Sequence, residues 1–276
     1  MNLVVFAEDV DSIVLKNVAK LTGARAIEQI TPRSFRLIAA QAHPDLAKIC
    51  AAGGLDHAWL SAGRQLRDFG LFVTDMDSTL INIECIDEIA DMQGLKAEVA
   101  EITEAAMEGR IDFRESLTRR VSLLAGLSEQ ALGEVFTHRL QLNPGAERLM
   151  KGLQRAGLRT VLVSGGFTYF TERLKQQLGF DHAFANELEV VDGHLTGRIV
   201  GEVVDGAAKA RHLLRIRDKL GLAAEQVIAA GDGANDIQML EAAGFSVAFH
   251  PKPVLRQVVD CCIEHSGLDG VLDLFD

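Results

Sequence analysis

The sequence carries no basic run and no patch of interleaved aromatic and basic residues to offset its acidity. It has 28 Lys+Arg against 39 Asp+Glu, a formal net charge of −11. Nucleic acid and anionic membrane are excluded as expected partners, because both are bound through clustered positive charge. No stretch approaches the ~20 apolar residues that span a bilayer. The start, MNLVVFAEDVDS, lacks the basic residues and long apolar run of a secretory signal. The four cysteines, Cys50, Cys85, Cys261 and Cys262, form no C-x-x-C pair, and the eight histidines show no ligand spacing. These absences argue against a disulfide framework and against zinc, and for buried free thiols in a reducing compartment. The chain reads as cytoplasmic. An acidic protein can still bind an anion, but its site must gather cations locally.

What the sequence does contain is enough apolar material for a real core. It is 48% hydrophobic and 24% charged over 276 residues, which allows one large domain or two modest ones. Neither repeats nor a low-complexity linker interrupt it. Short apolar runs at 2–6, 25–30, 35–40 and 57–61, with helical spacing over 11–22 and 44–52, predict a βαββαβ order. Residues 1–66 are thus expected to form a small α+β domain of ferredoxin-like form.

From residue 67 to 276 the texture changes. LFVT (71–74), TVLVS (160–164), HAFA (182–185), VIAA (227–230) and FSVAF (245–249) are short, mostly apolar runs. Helical stretches at 145–157, 168–178, 207–220 and 235–243 separate them. That alternation predicts an α/β domain with a doubly wound parallel sheet covered on both faces. Its core would comprise 67–81 and 142–276. The intervening 82–141 are helical in pattern and too long for a simple crossover, so they predict a helical cap. ELEVVDGHLTGRIVGEV (187–203) alternates around Asp192-Gly193, a hairpin signal.

Polar clusters fall at the carboxyl ends of three predicted strands, where open α/β sheets build their sites. LFVT runs into Asp75-Met76-Asp77-Ser78-Thr79, TVLV into Ser164-Gly165-Gly166, and VIAA into Gly231-Asp232-Gly233-Ala234-Asn235-Asp236. Each alone reads as a turn. Together they bring acidic groups, a hydroxyl and glycine-exposed amides to one edge. Carboxylates so close repel by several kcal/mol at an effective dielectric of ~20 unless a cation joins them. Oxygen-only ligands point to Mg²⁺. A metal beside a strand-end carboxylate suits phosphoryl transfer, with Asp75 or Asp77 as nucleophile and the other as general acid. Lys209, at the start of a predicted helix, is the best candidate for the required cation.

Taken in order, Asp75-x-Asp77-x-Thr79, Ser164, Lys209 and Gly231-Asp232-Gly233-x-Asn235-Asp236 resemble the four motifs of the haloacid dehalogenase superfamily. The resemblance covers roughly residues 68–276. DMDSTLINIECIDEIA, Met107, FRESLTRRVSLL and VSGGF are similar to the phosphoserine phosphatase family within it. This resemblance implies a haloacid dehalogenase-like core and an aspartyl-phosphate mechanism, with a small phosphomonoester, O-phospho-L-serine, as substrate and serine biosynthesis as the setting. Asp75 would be nucleophile and metal ligand. Asp77 would be general acid and base, giving its backbone carbonyl to Mg²⁺, and Asp232 would complete the protein ligands. Ser164, Gly165, Lys209 and Asn235 would hold the phosphoryl group, with Asp236, Met107 and Phe113 in support. Glu84 would meet the substrate ammonium and Arg120 its carboxylate, as the charges of a free amino acid call for.

The alternatives are a phosphatase or phosphotransferase for another small phosphomonoester, such as phosphohomoserine, and a phosphoacceptor signalling domain. The latter needs neither an acid at Asp77 nor a cap of about sixty residues. At the N-terminus, the loop AEDVDS lacks the glycine that amino-acid-sensing domains of this form use for close backbone approach. A structural or homodimer-forming role suits that unit at least as well.

Overall fold

The computed structural model describes residues 1–107 and 110–275, without the side chain of Met107, so the role expected of Met107 lies outside the described residues. The first unit contains β1 (Asn2–Phe6), α1 (Ser12–Leu21), β2 (Ala26–Thr31), β3 (Ser34–Ile38), α2 (Leu46–Ala52) and β4 (Asp56–Leu60). Then comes β5 (Leu71–Thr74), followed by four helices, α3 (Cys85–Asp91), α4 (Lys96–Met107), α5 (Phe113–Ser122) and α6 (Gln130–His138). The chain returns through α7 (Ala146–Arg155), β6 (Arg159–Phe167), α8 (Thr168–Leu178), β7 (His182–Val191) and β8 (His194–Val200). It ends with α9 (Gly206–Lys219), β9 (Val227–Gly231), α10 (Ile237–Glu241), β10 (Phe245–Phe249), β11 (Cys261–Ile263) and α11 (Gly270–Leu274). Among the described residues no helix is long and apolar enough to cross a membrane.

All eleven strands belong to one sheet, in the order β2-β3-β1-β4-β11-β10-β9-β5-β6-β7-β8. The segment from β11 to β7 is parallel. The first four strands pair antiparallel with one another, and β4 joins β11 antiparallel through Ala58–Cys261 and His57–Cys262. The N-terminal strands therefore extend the core sheet. Asp56 secures this seam: its buried carboxylate accepts from the backbone N–H groups of Glu264, His265 and Ser266 at 2.8–3.2 Å.

The central strands are mostly apolar because both of their faces are covered. Leu71 and Val73 of β5 point into one core with Leu213 of α9 and Met239 of α10. Phe72, between them, points into the other with residues of α7, α8 and the cap. Helix α7 shows how sequence spacing produces this burial. Ala146, Leu149, Met150 and Leu153 recur at i, i+3, i+4 and i+7, and all four are buried. Each large aliphatic buried this way contributes roughly 1.5–3 kcal/mol.

Three sequence expectations need correction. The strand expected to end at Ser164 continues as β6 to Phe167, and its pairing with β7 breaks between Val163 and Phe167. Ser164-Gly165-Gly166 is thus an irregularity within a strand, not a turn after one. The strand at 182–185 and the first arm of the hairpin are a single strand, β7, parallel to β6 in its first half and antiparallel to β8 in its second. The helix expected over 235–243 divides into a 3₁₀ turn, Ala234–Asp236, and the short α10. Strand β11 and helix α11 were not anticipated, since three and five residues carry almost no periodic signal.

Candidate active site

The backbone after β5 reverses direction just past Asp77. Asp75 is still on the ladder, its N–H donating to Ala230 O at 3.0 Å. Ser78 then takes a left-handed φ of 57°, and the N–H groups of Leu80 and Ile81 fold back onto Met76 O. An extended strand would send Asp77 to the face opposite Asp75; this turn draws it back to the strand end. There the Asp77 carboxylate accepts from Cys85 N–H at 3.0 Å and from Ser164 Oγ at 3.2 Å.

Lys209 lies at the centre. Its Nζ is 2.8 Å from Asp75 Oδ1 and 2.7 Å from Asp236 Oδ1, with all three side chains buried. Helix α9 delivers it from its first turn, which Asp205 caps by accepting from Ala208 N–H at 2.9 Å. Although burial alone would lower the Lys209 ammonium, Asp236 and Asp75 hold it above its ordinary value. Burial, together with Asp236 and Asp232, pushes Asp75 well above the carboxylate range against the pull of Lys209. Asp232 is raised as well, by burial first and despite Lys252. Asp77 is pushed up to about 7 by burial and by the charge of Glu84.

Asp75, Asp232 and Asp236 present carboxylate oxygens within 4.8 Å of one another. Asp236 is the most fully engaged. Its Oδ1 takes Lys209, and its Oδ2 accepts from the N–H groups of Asp232 and Gly233 at 3.1 and 3.2 Å. Asp232 is bound more loosely, by Thr79 Oγ1 at 3.4 Å and by the half-exposed Lys252 at 3.0 Å. Burial is the first cause that raises Asp75 and Asp232, and the surplus negative charge around the one buried ammonium adds to it. A hard divalent cation on Asp75 and Asp232 would relieve it, so the oxygen-only donor set fits Mg²⁺.

The remaining sequence candidates also gather at this strand-end face. Ser164 Oγ donates to Asp77 and accepts Gly166 N–H at 2.8 Å, so one amide expected to face a ligand is already used. Two glycines stand at close approaches. A Cβ on Gly166 would lie 2.6 Å from Asp77 Oδ2, and one on Gly165 would lie 3.0 Å from the Phe113 ring. Phe113 therefore reaches the site from the cap. Asn235 is the second residue of the 3₁₀ turn that follows Gly233, with its Oδ1 2.8 Å from where a Gly233 Cβ would stand. Glu84 sits just ahead of α3 and accepts from Ser78 Oγ at 2.8 Å. Arg120 of α5 is lowered by burial and feels Asp87, Glu84 and Asp77, and its Nε is buried with no hydrogen-bond partner in the structure.

Sequence reasoning missed Lys252, Asn186 and Asp87. Lys252 was within reach of the same rule, since FSVAF runs straight into His250-Pro251-Lys252 at a fourth strand end. Asp87 lies one helical turn beyond Glu84 on the same face, a spacing that could have marked it. Asn186, whose side-chain amide binds Gly165 O, Gly166 O and Val204 N–H, gave no signal, because those contacts depend on the break in β6–β7 pairing.

Comparison with known proteins gives the following. A family model described as haloacid dehalogenase-like hydrolase matches residues 72–241, and a domain of unknown function matches residues 3–46. A phosphoserine phosphatase of Polaromonas sp. is 53% identical over 215 residues, covering 76% of this chain and 91% of that protein. A structure of a probable, unliganded phosphoserine phosphatase from Vibrio cholerae superposes with TM-score 0.87 at 36% identity, covering 99% of this chain and 85% of that one. A substrate-bound phosphoserine phosphatase complex matches with TM-score 0.71 at 42% identity, covering 75% of this chain and 99% of that one.

Proposed function

Since the chain belongs to the haloacid dehalogenase-like hydrolases, and among them to the phosphoserine phosphatases, we propose that it hydrolyses O-phospho-L-serine to L-serine and phosphate through a phosphorylated Asp75. One observation above all supports this reading: a buried ammonium, Lys209, is shared between Asp75 and Asp236, beside a second acid, Asp77, that burial keeps protonated to near-neutral pH.

The roles follow from that arrangement. The carboxylate of Asp75 attacks phosphorus while the ester P–O bond breaks. Asp77 gives its proton to the departing serine oxygen, so serine leaves as an alcohol. Asp77, now ionised, takes a proton from the water that attacks the acyl phosphate, and free phosphate and Asp75 are regenerated. Lys209 and the Ser164 hydroxyl face the phosphoryl oxygens, countering the repulsion between an anionic nucleophile and an anionic ester. Mg²⁺, bound through Asp75, Asp232 and the Asp77 backbone carbonyl, would supply further neutralisation of that charge. Arg120, whose buried Nε has no partner in the structure, suits the substrate carboxylate, and Glu84 suits its ammonium. Residues 1–66 then serve as a structural unit seated on β11 through β4 and Asp56.

The test is phosphate release from a panel of phosphomonoesters with and without Mg²⁺. Phosphoserine should lead the panel and require the metal. Preference for a phosphate ester lacking the amino-acid head group would overturn the substrate assignment.

A further inference from the structure

Three backbone groups at the edge of the site share one buried side chain. Asn186 Nδ2 donates to Gly165 O at 2.7 Å and to Gly166 O at 3.3 Å, while its Oδ1 accepts Val204 N–H at 2.8 Å. Its residue is 1% exposed. The sheet explains why a side chain is needed here. Pairing between β6 and β7 runs to Val163–Phe184 and resumes only at Phe167–Asn186. Three residues of β6, Ser164, Gly165 and Gly166, therefore stand opposite the single Ala185, and the regular register of the ladder is interrupted there. The Asn186 amide fills that gap. On its other side it fixes Val204, one residue ahead of Asp205, which caps the helix carrying Lys209.

We propose that Asn186 is a positioning residue: its amide locks the Ser164-Gly165-Gly166 bulge to the start of α9, so that the Ser164 hydroxyl and the Lys209 ammonium converge on one phosphoryl group. This inference rests on the phosphohydrolase reading of the same site. The two halves of the amide are separable. Asn186→Asp keeps an acceptor for Val204 N–H but sets a second acceptor against the Gly165 and Gly166 carbonyls. Asn186→Ala removes both halves.

The experiment measures the competitive inhibition constant of inorganic phosphate, the KM and kcat for phosphoserine and for p-nitrophenyl phosphate, and the Mg²⁺ concentration giving half activation. All are taken well below the melting temperature of each variant. Both variants should weaken phosphate inhibition by roughly tenfold or more, the scale of one lost buried hydrogen bond. Both substrates should lose kcat/KM by a similar factor, since the phosphoryl group is common to them. Half activation by Mg²⁺ should stay put, because Asn186 touches neither Asp75 nor Asp232. A purely structural residue would lower the melting temperature and leave the phosphate constant of the folded enzyme unchanged, and that result would overturn the proposal. Should neither variant fold, amide exchange in the unaltered enzyme decides. Beryllium fluoride should slow exchange at Val204 together with Gly166, and an unaltered Val204 contradicts the coupling. If the unaltered enzyme hydrolyses no phosphomonoester, the phosphohydrolase reading falls and the proposal with it. If it does hydrolyse them but the variants behave normally, Asn186 alone is refuted.

Discussion

Lys209 Nζ lies 2.8 Å from Asp75 Oδ1, with both side chains almost wholly removed from solvent. An isolated buried ammonium would be costly, and so would an isolated buried carboxylate. Their pairing, completed by Asp236 at 2.7 Å, makes each tolerable and sets an ammonium beside the proposed nucleophile of an acidic protein. The relationship predicts a loss on both counts when Lys209 is removed. Lys209→Met should abolish turnover and lower stability by about 3–5 kcal/mol, the usual cost of leaving a buried charge unpaired. Adding Asp236→Asn should recover part of the stability and none of the activity. Thermal unfolding alongside phosphate release checks both.

Asp77 predicts the pH dependence. Burial and the charge of Glu84 push its carboxyl up to about 7. The acid form dominates below that value, and the proton is lost as pH rises through it. Phosphoserine turnover should therefore fall on the alkaline side of about 7. Asp77→Asn should remove this limb and slow phosphoserine hydrolysis by roughly 10²–10⁴-fold. With p-nitrophenyl phosphate, whose leaving group needs little protonation, the loss should be much smaller. Equal losses for both substrates would make Asp77 structural.

The core was legible in the sequence because its strands are apolar on both faces and its polar clusters fall at their carboxyl ends. That pattern alone set Asp75, Asp77, Asp232 and Asp236 at one edge of the sheet, and the need for a cation pointed to Lys209; singling out Asp232 as a ligand took the family resemblance. Pairing roles were not legible. Asp236 reads as one acid among several, yet in the structure its two oxygens serve Lys209 and two backbone amides. Gly166 N–H reads as a free donor, yet Ser164 Oγ takes it. Nothing in a one-dimensional pattern tells which of two neighbours captures a hydrogen bond. The shared sheet was hidden for a related reason: β11 has three residues, and it joins β4 across some two hundred positions of sequence.

Arg120 and Glu84 are the proposed readers of the substrate's carboxylate and ammonium. A charged hydrogen bond contributes about 1.5–3 kcal/mol, roughly 10–150-fold in kcat/KM. Arg120→Ala should lose about that much on phosphoserine and little on p-nitrophenyl phosphate. Phosphoethanolamine, which lacks the carboxylate, should be a poor substrate for the parent enzyme and no poorer for the variant. Glu84→Gln should show the complementary pattern with a substrate lacking the ammonium.

Metal dependence tests the acid cluster. Chelation should abolish activity, Mg²⁺ should restore it, and Ca²⁺ should restore little, because its longer bonds and larger coordination number hold nucleophile and phosphate in poorer register. Asp232→Asn should raise the Mg²⁺ concentration needed for half activation. Mg²⁺ should also raise the melting temperature of the parent more than that of the variant.

The central claim is that Asp75 carries the phosphoryl group, and trapping that state tests it most directly. In the presence of Mg²⁺, beryllium fluoride should form its adduct on the Asp75 carboxylate and block turnover, and Asp75→Asn should neither form the adduct nor hydrolyse phosphoserine. An adduct on any other residue, or near-normal turnover by Asp75→Asn, would contradict the account.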